Sequence, residues 1–486
     1  MSAGLVFGVL SGYFLLLMVV SHFTSRRANT ATFFNANKKS PWYLVAYGMI
    51  GASLSGVTFI SVPGWVKTSY FSYYQMVIGY LLGYAAIALI LLPIYYKNNL
   101  VSIYKYLEKR FGKYSYKTGS AFFLLSRTIG AAFRLFLVAE VLQMAFFNHF
   151  GIPFWITVII TIAIIWIYTS RAGIKTIVWT DTLQTTAMLA AVIFTIIIIA
   201  RELGYNSKSL IIAISHHPYS KMFFWDWHSP YYFWKQFWAG SFMAFVMTGL
   251  DQDMMQKNLT VRTLKESQKN MFWFSLSLLP VNLLFLSLGV LLYMYAAKFN
   301  IPLPARTDQV YPMLAINYFG TTTGILFLIG ITAAAFSSAD SALTALTTAF
   351  SIDFLNININ SNNRSTRVTK SAVHLGVSLL LFTVIIIFHT LSNESVISQL
   401  FKVAGYTYGP LLGLFSFGII MKRRVKDKLV PMIAISSPII AYVIKHIIET
   451  NTGYKFGFEF LILNGLIAFL LLLIISNKAI SVKENS

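Results

Sequence analysis

The sequence predicts an all-α polytopic membrane protein of about thirteen transmembrane helices. Three observations carry that expectation. Hydrophobic residues make up 57% of the 486 and charged ones 11%, with a mean hydropathy of +0.66. Soluble proteins are roughly 25% charged, and no water-soluble core hides so much apolar surface. Apolar stretches of the ~20 residues that a bilayer-crossing helix needs recur from end to end. Lys and Arg, finally, alternate in density from loop to loop.

The spans lie near 4–22, 43–66, 74–96, 119–146, 152–169, 177–200, 232–250, 272–297, 313–350, 372–391, 401–420, 429–444 and 457–476. The first has no basic residue before it and no small-residue cleavage site after it, so it reads as a helix and not as a cleavable signal. The second carries Gly48, Gly51, Ala52, Ser53, Leu54, Ser55 and Gly56 in its middle. Such a run either unwinds and turns carbonyls toward a cavity or packs closely against a neighbouring helix. The third follows an interfacial belt of Tyr70, Phe71, Tyr73 and Tyr74. Within the fourth, Arg127 and Arg134 share one helical face and Glu140 lies on another. Arg134 either binds a carboxylate-bearing solute with its planar fork or pairs internally with Glu140, Asp181 or Asp340.

The sixth span places Asp181 about one turn inside, followed by Thr182, Gln184, Thr185 and Thr186. The loop 201–231 reads as solvated or interfacial, and its His216–His217 pair lacks a metal-ligand pattern. A second aromatic belt, Tyr231 to Trp234, opens the seventh span. On the ninth, Ala334, Ser337, Ser338 and Ser341 share a face, with Asp340 at the same level. Hydroxyl and carbonyl oxygens suit a hard monovalent cation, and a mid-span Asp needs a partner, an ion or a proton. An Asn-rich linker, 357–363, leads to the last four spans.

A formal net charge of +22 also raises nucleic-acid binding. With the N-terminus outside, however, 26 of the 38 Lys and Arg fall in inside loops, 10 outside, and Arg127 and Arg134 within a span. That bias sets the N-terminus out and the C-terminus in. It accounts for the charge without nucleic acid. With Cys at 0, disulfides and thiol nucleophiles are excluded.

Six motifs in order then carry a resemblance. They are Gly51-Ala52-Ser53-Leu54-Ser55-Gly56 running on to Pro63-Gly64, Tyr106-Leu107-Glu108-Lys109-Arg110-Phe111-Gly112, Val178-Trp179-Thr180-Asp181, Asp251-Gln252-Asp253-Met254-Met255-Gln256 with its basic sequel, the Ala-Ser-Ser-x-x-Ser helix, and Tyr408-Gly409-Pro410. Over about residues 5–425 the chain resembles the sodium/solute symporters, the family of the sodium–glucose, sodium–proline and sodium–sialic acid transporters. The resemblance implies one transporter domain with a LeuT-like fold. Inverted five-helix repeats would span 43–200 and 232–420, with an extra N-terminal helix (4–22) and two C-terminal helices (429–476). The first helix of each repeat would be broken at the midplane.

It further implies a sodium site formed by the carbonyls of Gly51, Leu54 and Ala334 and the hydroxyls of Ser337 and Ser338. A second cation site would use Asp181, Ser337, Asp340 and Ser341, with Asp340 standing where several members carry a hydroxyl. The solute site is expected among Thr58, Phe59, Ser61, Gln75, Arg134, Phe242 and Tyr406. The expected function is sodium-coupled import of a small polar solute by alternating access, leaning toward a carboxylate such as a sialic acid. A neutral sugar, polyol or amino acid, a proton-coupled cycle through Asp181 and Asp340, and a non-transporting sensor are the alternatives. An enzyme is disfavoured, because the eight His are scattered and no catalytic constellation converges. Sodium and the solute are the expected partners, in a lipid bilayer, and a monomer suffices because the site is complete in one chain. The Asn-, Ile- and Lys-rich usage points to a bacterial inner membrane.

Overall fold

The computed structural model describes residues 3–25, 36–100, 102–357, 364–391 and 396–477. Arg26, Arg27, Lys478, Lys483 and the linker residues 358–363 lie outside them, as do the side chains of Arg171, Arg364 and Arg367. Helices dominate. They are α1 (Ala3–Ser25), α2 (Trp42–Ser69), α3 (Tyr73–Lys97), α4 (Lys113–Ala145), α5 (Phe154–Ile167) and α6 (Ile174–Leu203). After the external loop come α7 (Phe233–Ala244), α8 (Gln252–Leu259), α9 (Leu264–Lys298), α10 (Gly320–Phe354) and α11 (Arg364–Leu391). The last are α12 (Val396–Thr407), α13 (Gly409–Ile420), α14 (Val430–Thr452) and α15 (Phe460–Ile474). Among the described residues nine helices are long and apolar enough to cross a membrane, and the bent pair α12–α13 makes a tenth.

Every apolar stretch expected from the sequence has a helical counterpart, but three differ in outline. The ninth begins at Gly320, because 310–317 forms a separate short helix, Val310–Asn317. The seventh runs past its apolar part into polar α8. The eleventh bends by 47° at Tyr408. Pro410, which cannot donate an amide, sits in the first turn of α13. In the external loop His217 accepts the Tyr219 amide at 3.2 Å, and partial burial pushes its ring below the usual histidine pKa.

The first helix of each expected repeat is interrupted. In α2 Ser55 adopts φ 46°, ψ 175°, in the middle of the small-residue run. Ser at positive φ is strained, and the surrounding packing holds it, since Ser55 is buried. The second break follows α7 and its wide turn Phe245–Gly249. There Leu250 and Asp251 leave helical geometry and α8 restarts, with the Asp251 carboxylate accepting the Asp253 amide at 2.9 Å and the Met254 amide at 3.3 Å. An N-cap of this kind satisfies amides that lipid cannot.

Around the breaks α2 packs against α6, α9 and α10, while α3 packs along α7. Small residues permit the approach. A β-carbon on Gly240 of α7 would collide with the Met76 carbonyl of α3, and one on Gly79 of α3 with the Phe237 carbonyl of α7. On α9 a β-carbon at Gly289 would press on Pro63 of α2, and Tyr293 beside it donates to the Gly64 carbonyl at 2.6 Å. Backbone contact of this sort supplies van der Waals attraction where lipid removes the hydrophobic driving force.

Gly240→Ala is therefore expected to destabilise the purified protein by about 1–3 kcal/mol, since no rotamer relieves a backbone clash. Gly376→Ala on α11, with open space around the new methyl, should be neutral or gain up to ~1 kcal/mol from helix propensity. Thermal unfolding of the two variants side by side measures the difference.

Candidate functional site

Breaking a helix at Ser55 leaves the carbonyls of its last turn, from Ala52 on, without amides four residues ahead. Across from them lies the hydroxyl face of α10. Ser338 Oγ is 3.5 Å from the Ala52 carbonyl and 3.3 Å from that of Ala334, and Ser337 and Ser338 are fully buried. The Gly51 amide donates to Thr185 Oγ1 at 3.1 Å, and a side chain there would strike the same threonine. The α2 carbonyl within hydrogen-bond reach of Ser338 is that of Ala52. These neutral oxygens, drawn from two helices at a break, suit a hard monovalent cation.

Beside this face, Asp181 of α6 uses both carboxylate oxygens. Ser337 Oγ donates to Oδ1 at 2.6 Å, and Lys257 Nζ of α8 reaches Oδ2 at 2.7 Å. Lysine and aspartate are each 1% exposed. Lys257, counted among inside-loop cations in the sequence, is thus a buried member of the site, and its ammonium occupies one side of the carboxylate assigned to a second cation. Asp340 accepts the Ser341 amide at 2.5 Å, while Ser341 Oγ is buried without a hydrogen-bond partner among the described residues.

Next to the α2 break opens a cavity of about 80 Å³. Ser53, Ser55 and Thr58 line one side, Tyr73, Tyr80, Tyr84 and Phe401 supply rings, and Arg127, Arg134 and Asn282 supply polar groups. The two arginines are in different states. Arg127 ion-pairs with Asp253 and lies 3.8 Å from Asp251, whose Oδ2 also takes the Tyr408 hydroxyl at 2.7 Å. Arg134 is 7% exposed, and its Nε and Nη1 have no hydrogen-bond partner among the described residues. The carboxylates weighed as its internal partners are engaged. Glu140 pairs with Arg306 at 2.8 and 3.2 Å, Asp181 with Lys257, and Asp340 with the Ser341 amide.

Comparisons with known proteins identify the family. The model of the sodium:solute symporter family matches residues 33–428. The chain belongs to that family. It is therefore a multi-pass membrane transporter with sodium as its co-transported ion, and not an enzyme. A sodium/sialic acid symporter of Proteus mirabilis is 25% identical over 86% of this chain and 85% of its own. One from Aliivibrio fischeri is 26% identical over 85% and 82%. In fold the chain is similar to a solved structure described as the substrate-bound outward-open state of a Na+-coupled sialic acid symporter. That likeness has a TM-score of 0.80 at 20% identity, covering 97% of this chain and 99% of that one. The nucleobase-cation symporter Mhp1, in a closed conformation, follows at a TM-score of 0.58 and 13% identity, over 90% and 92%. The LeuT-like architecture of the symporter stands on these likenesses and on its two broken helices.

Of the residues expected around the solute, Thr58 and Arg134 line the cavity and five do not. Phe59 packs into rings, with centroids 5.4 Å from Tyr311, 5.7 Å from Phe327 and 6.1 Å from Phe285. Ser61 is fully buried on the same half-helix, outside the lining. The Gln75 side chain ties down the external loop, donating to the Tyr231 carbonyl at 2.9 Å and accepting the Phe224 amide at 3.1 Å. Phe242 lines an apolar groove with Trp238 and Leu82. Tyr406 packs against Phe460 with tilted rings, 4.6 Å between centroids. Sequence reasoning missed Tyr80, Tyr84, Asn282 and Lys257. Asn282 had a visible signal, an amide inside an otherwise apolar span. It is buried with Oδ1 lacking a partner among the described residues.

Gln75→Ala should lower the melting temperature, costing about 1–3 kcal/mol for the stranded backbone groups, while the folded fraction keeps its solute affinity. Lost affinity at unchanged stability would return Gln75 to the solute site.

Proposed function

We propose that the symporter imports a small carboxylate of the sialic-acid class together with sodium. One observation carries the reading: the Arg134 guanidinium lines the cavity with its carboxylate candidates already engaged. A buried guanidinium with no carboxylate hydrogen-bonded to it is costly, and a planar solute carboxylate would satisfy the fork with two charge-assisted hydrogen bonds. Thr58, Ser53 and Asn282 offer hydroxyl and amide partners for a polyhydroxylated body, and Tyr80 and Tyr84 offer rings for its apolar face. The sialic acid named for the two curated relatives has this chemistry.

Sodium would bind between the Gly51 and Leu54 carbonyls of α2, with that of Ala52 beside them, the Ala334 carbonyl of α10 and the Ser337 and Ser338 hydroxyls. It would hold α2 to α10 and so complete the cavity. Solute binding beside the two breaks would then permit closure toward the outside, and rocking would open the inside. There, low sodium empties the cation site and loosens the clasp. Each tenfold sodium gradient is worth ~1.4 kcal/mol, and a cation crossing 100 mV gains ~2.3 kcal/mol before the solute's own charge is counted. The orientation we propose is N-terminus outside and C-terminus inside, with thirteen crossings in a bacterial inner membrane. A single chain suffices, because cavity and cation oxygens come from one polypeptide.

Counterflow in proteoliposomes against a panel of labelled solutes, with and without sodium, tests this. Sodium-dependent uptake of a sialic acid is expected. Arg134→Gln should raise its half-saturation concentration about 10- to 100-fold, as for the loss of a charged hydrogen-bond pair. Ser338→Ala should raise the sodium requirement about tenfold, the loss of one ligand hydrogen-bond equivalent. Uptake driven by a pH gradient without sodium would move the coupling to Asp181 and Asp340. A neutral sugar carried equally well by Arg134→Gln would remove the carboxylate.

A further inference from the structure

A second binding position for a mobile cation next to the Ser337–Ser338 pair would need a carboxylate, and Asp181 is the one in hydrogen-bond contact with that pair. Its two oxygens are spent on different partners. Oδ1 takes the Ser337 hydroxyl at 2.6 Å, and Oδ2 takes the Lys257 ammonium at 2.7 Å, with lysine and aspartate each 1% exposed. We propose that Lys257 is a tethered cation that fills the second cation position, so that the symporter binds and carries one sodium per cycle. The inference rests on the sodium-coupled reading above and goes beyond it by assigning the stoichiometry.

The chemistry follows from charge and tethering. An ammonium at hydrogen-bond distance neutralises the carboxylate as a sodium ion would, but it is covalently fixed to α8 and returns with the protein on every cycle. A free cation entering the same low-dielectric pocket would meet an unscreened positive charge within a few ångströms. Ser337 meanwhile donates its one hydroxyl hydrogen bond to Asp181 and keeps its oxygen lone pairs for the neighbouring site. That site then consists of neutral carbonyl and hydroxyl oxygens, with no carboxylate of its own. Sodium carried with a monoanionic solute would give an electroneutral cycle, in which a tenfold sodium gradient supports about tenfold accumulation at any membrane potential.

Saturable binding of 22Na+ to the purified full-length protein, without solute, tests the assignment. The wild type should bind one sodium per chain with a Hill coefficient near 1. Lys257→Ala should open the position at Asp181, giving two sodium ions per chain and a Hill coefficient well above 1. If that variant does not fold, the charge-neutral Asp181→Asn/Lys257→Met pair replaces it and should still bind one sodium, with affinity shifted by no more than about tenfold. Two sodium ions in the wild type, a count still at one in a folded Lys257→Ala, or no sodium in the double variant would each overturn the assignment. No saturable sodium binding in the wild type would overturn the sodium-coupled reading itself, a distinct result.

Discussion

A carbonyl released by a broken helix inside a bilayer has no water to accept from, and most of this architecture answers that constraint. The run Gly51–Gly56 makes a break possible, and Ser55 at φ 46° makes it actual. Once α2 is interrupted, the oxygens from Ala52 onward need donors or cations. The hydroxyl face of α10 is the group brought against them. The second break is handled by capping. Asp251 receives the first amides of α8, Tyr95 donates to the Gly249 carbonyl at 2.9 Å, and Tyr104 donates to the Leu250 carbonyl at 2.7 Å. One break is sealed by its own chain, and the other is left with oxygens to offer.

Helix α8 gathers the consequences. Eight residues long, it carries Asp253 to Arg127 of α4 and Lys257 to Asp181 of α6, and it starts at the aspartate held by Tyr408, between α12 and α13. Buried ion pairs add little net stability, because each charge must first be desolvated, but stranding one partner costs 3–5 kcal/mol. The pairs therefore act less as glue than as registration marks: α8 has few other positions in which both of its charges are satisfied.

Much of this was legible in the sequence. Span lengths, the small-residue run, the Ser-rich face of α10 and the buried Arg134 all follow from what lipid penalises. The reading failed where depth could not be told from a hydropathy run. Lys257 stands six residues beyond Asp251 in a polar stretch and reads as an inside-loop cation, yet α8 folds into the protein and takes it along. Phe242 and Tyr406 fell on helices near the cavity but on the wrong faces, because rotation about a helix axis is set by partners that sequence does not name. Which carbonyls a break releases depends on the one residue whose φ changes sign, and several in that run were eligible.

The glycine contacts described above have a mechanical meaning. Helices α3 and α7 touch backbone to backbone at Gly79 and Gly240, and α2 meets α9 at Gly289. Surfaces that close have no flexible side chains between them to take up shear, and tight packing transmits displacement instead of absorbing it. Each pair behaves as a stiff beam. A push delivered at the α2 break by an arriving solute would pass from the half of α2 beyond Ser55 into α9 through this contact, and the soft direction left to the pair would be tilting as a single body.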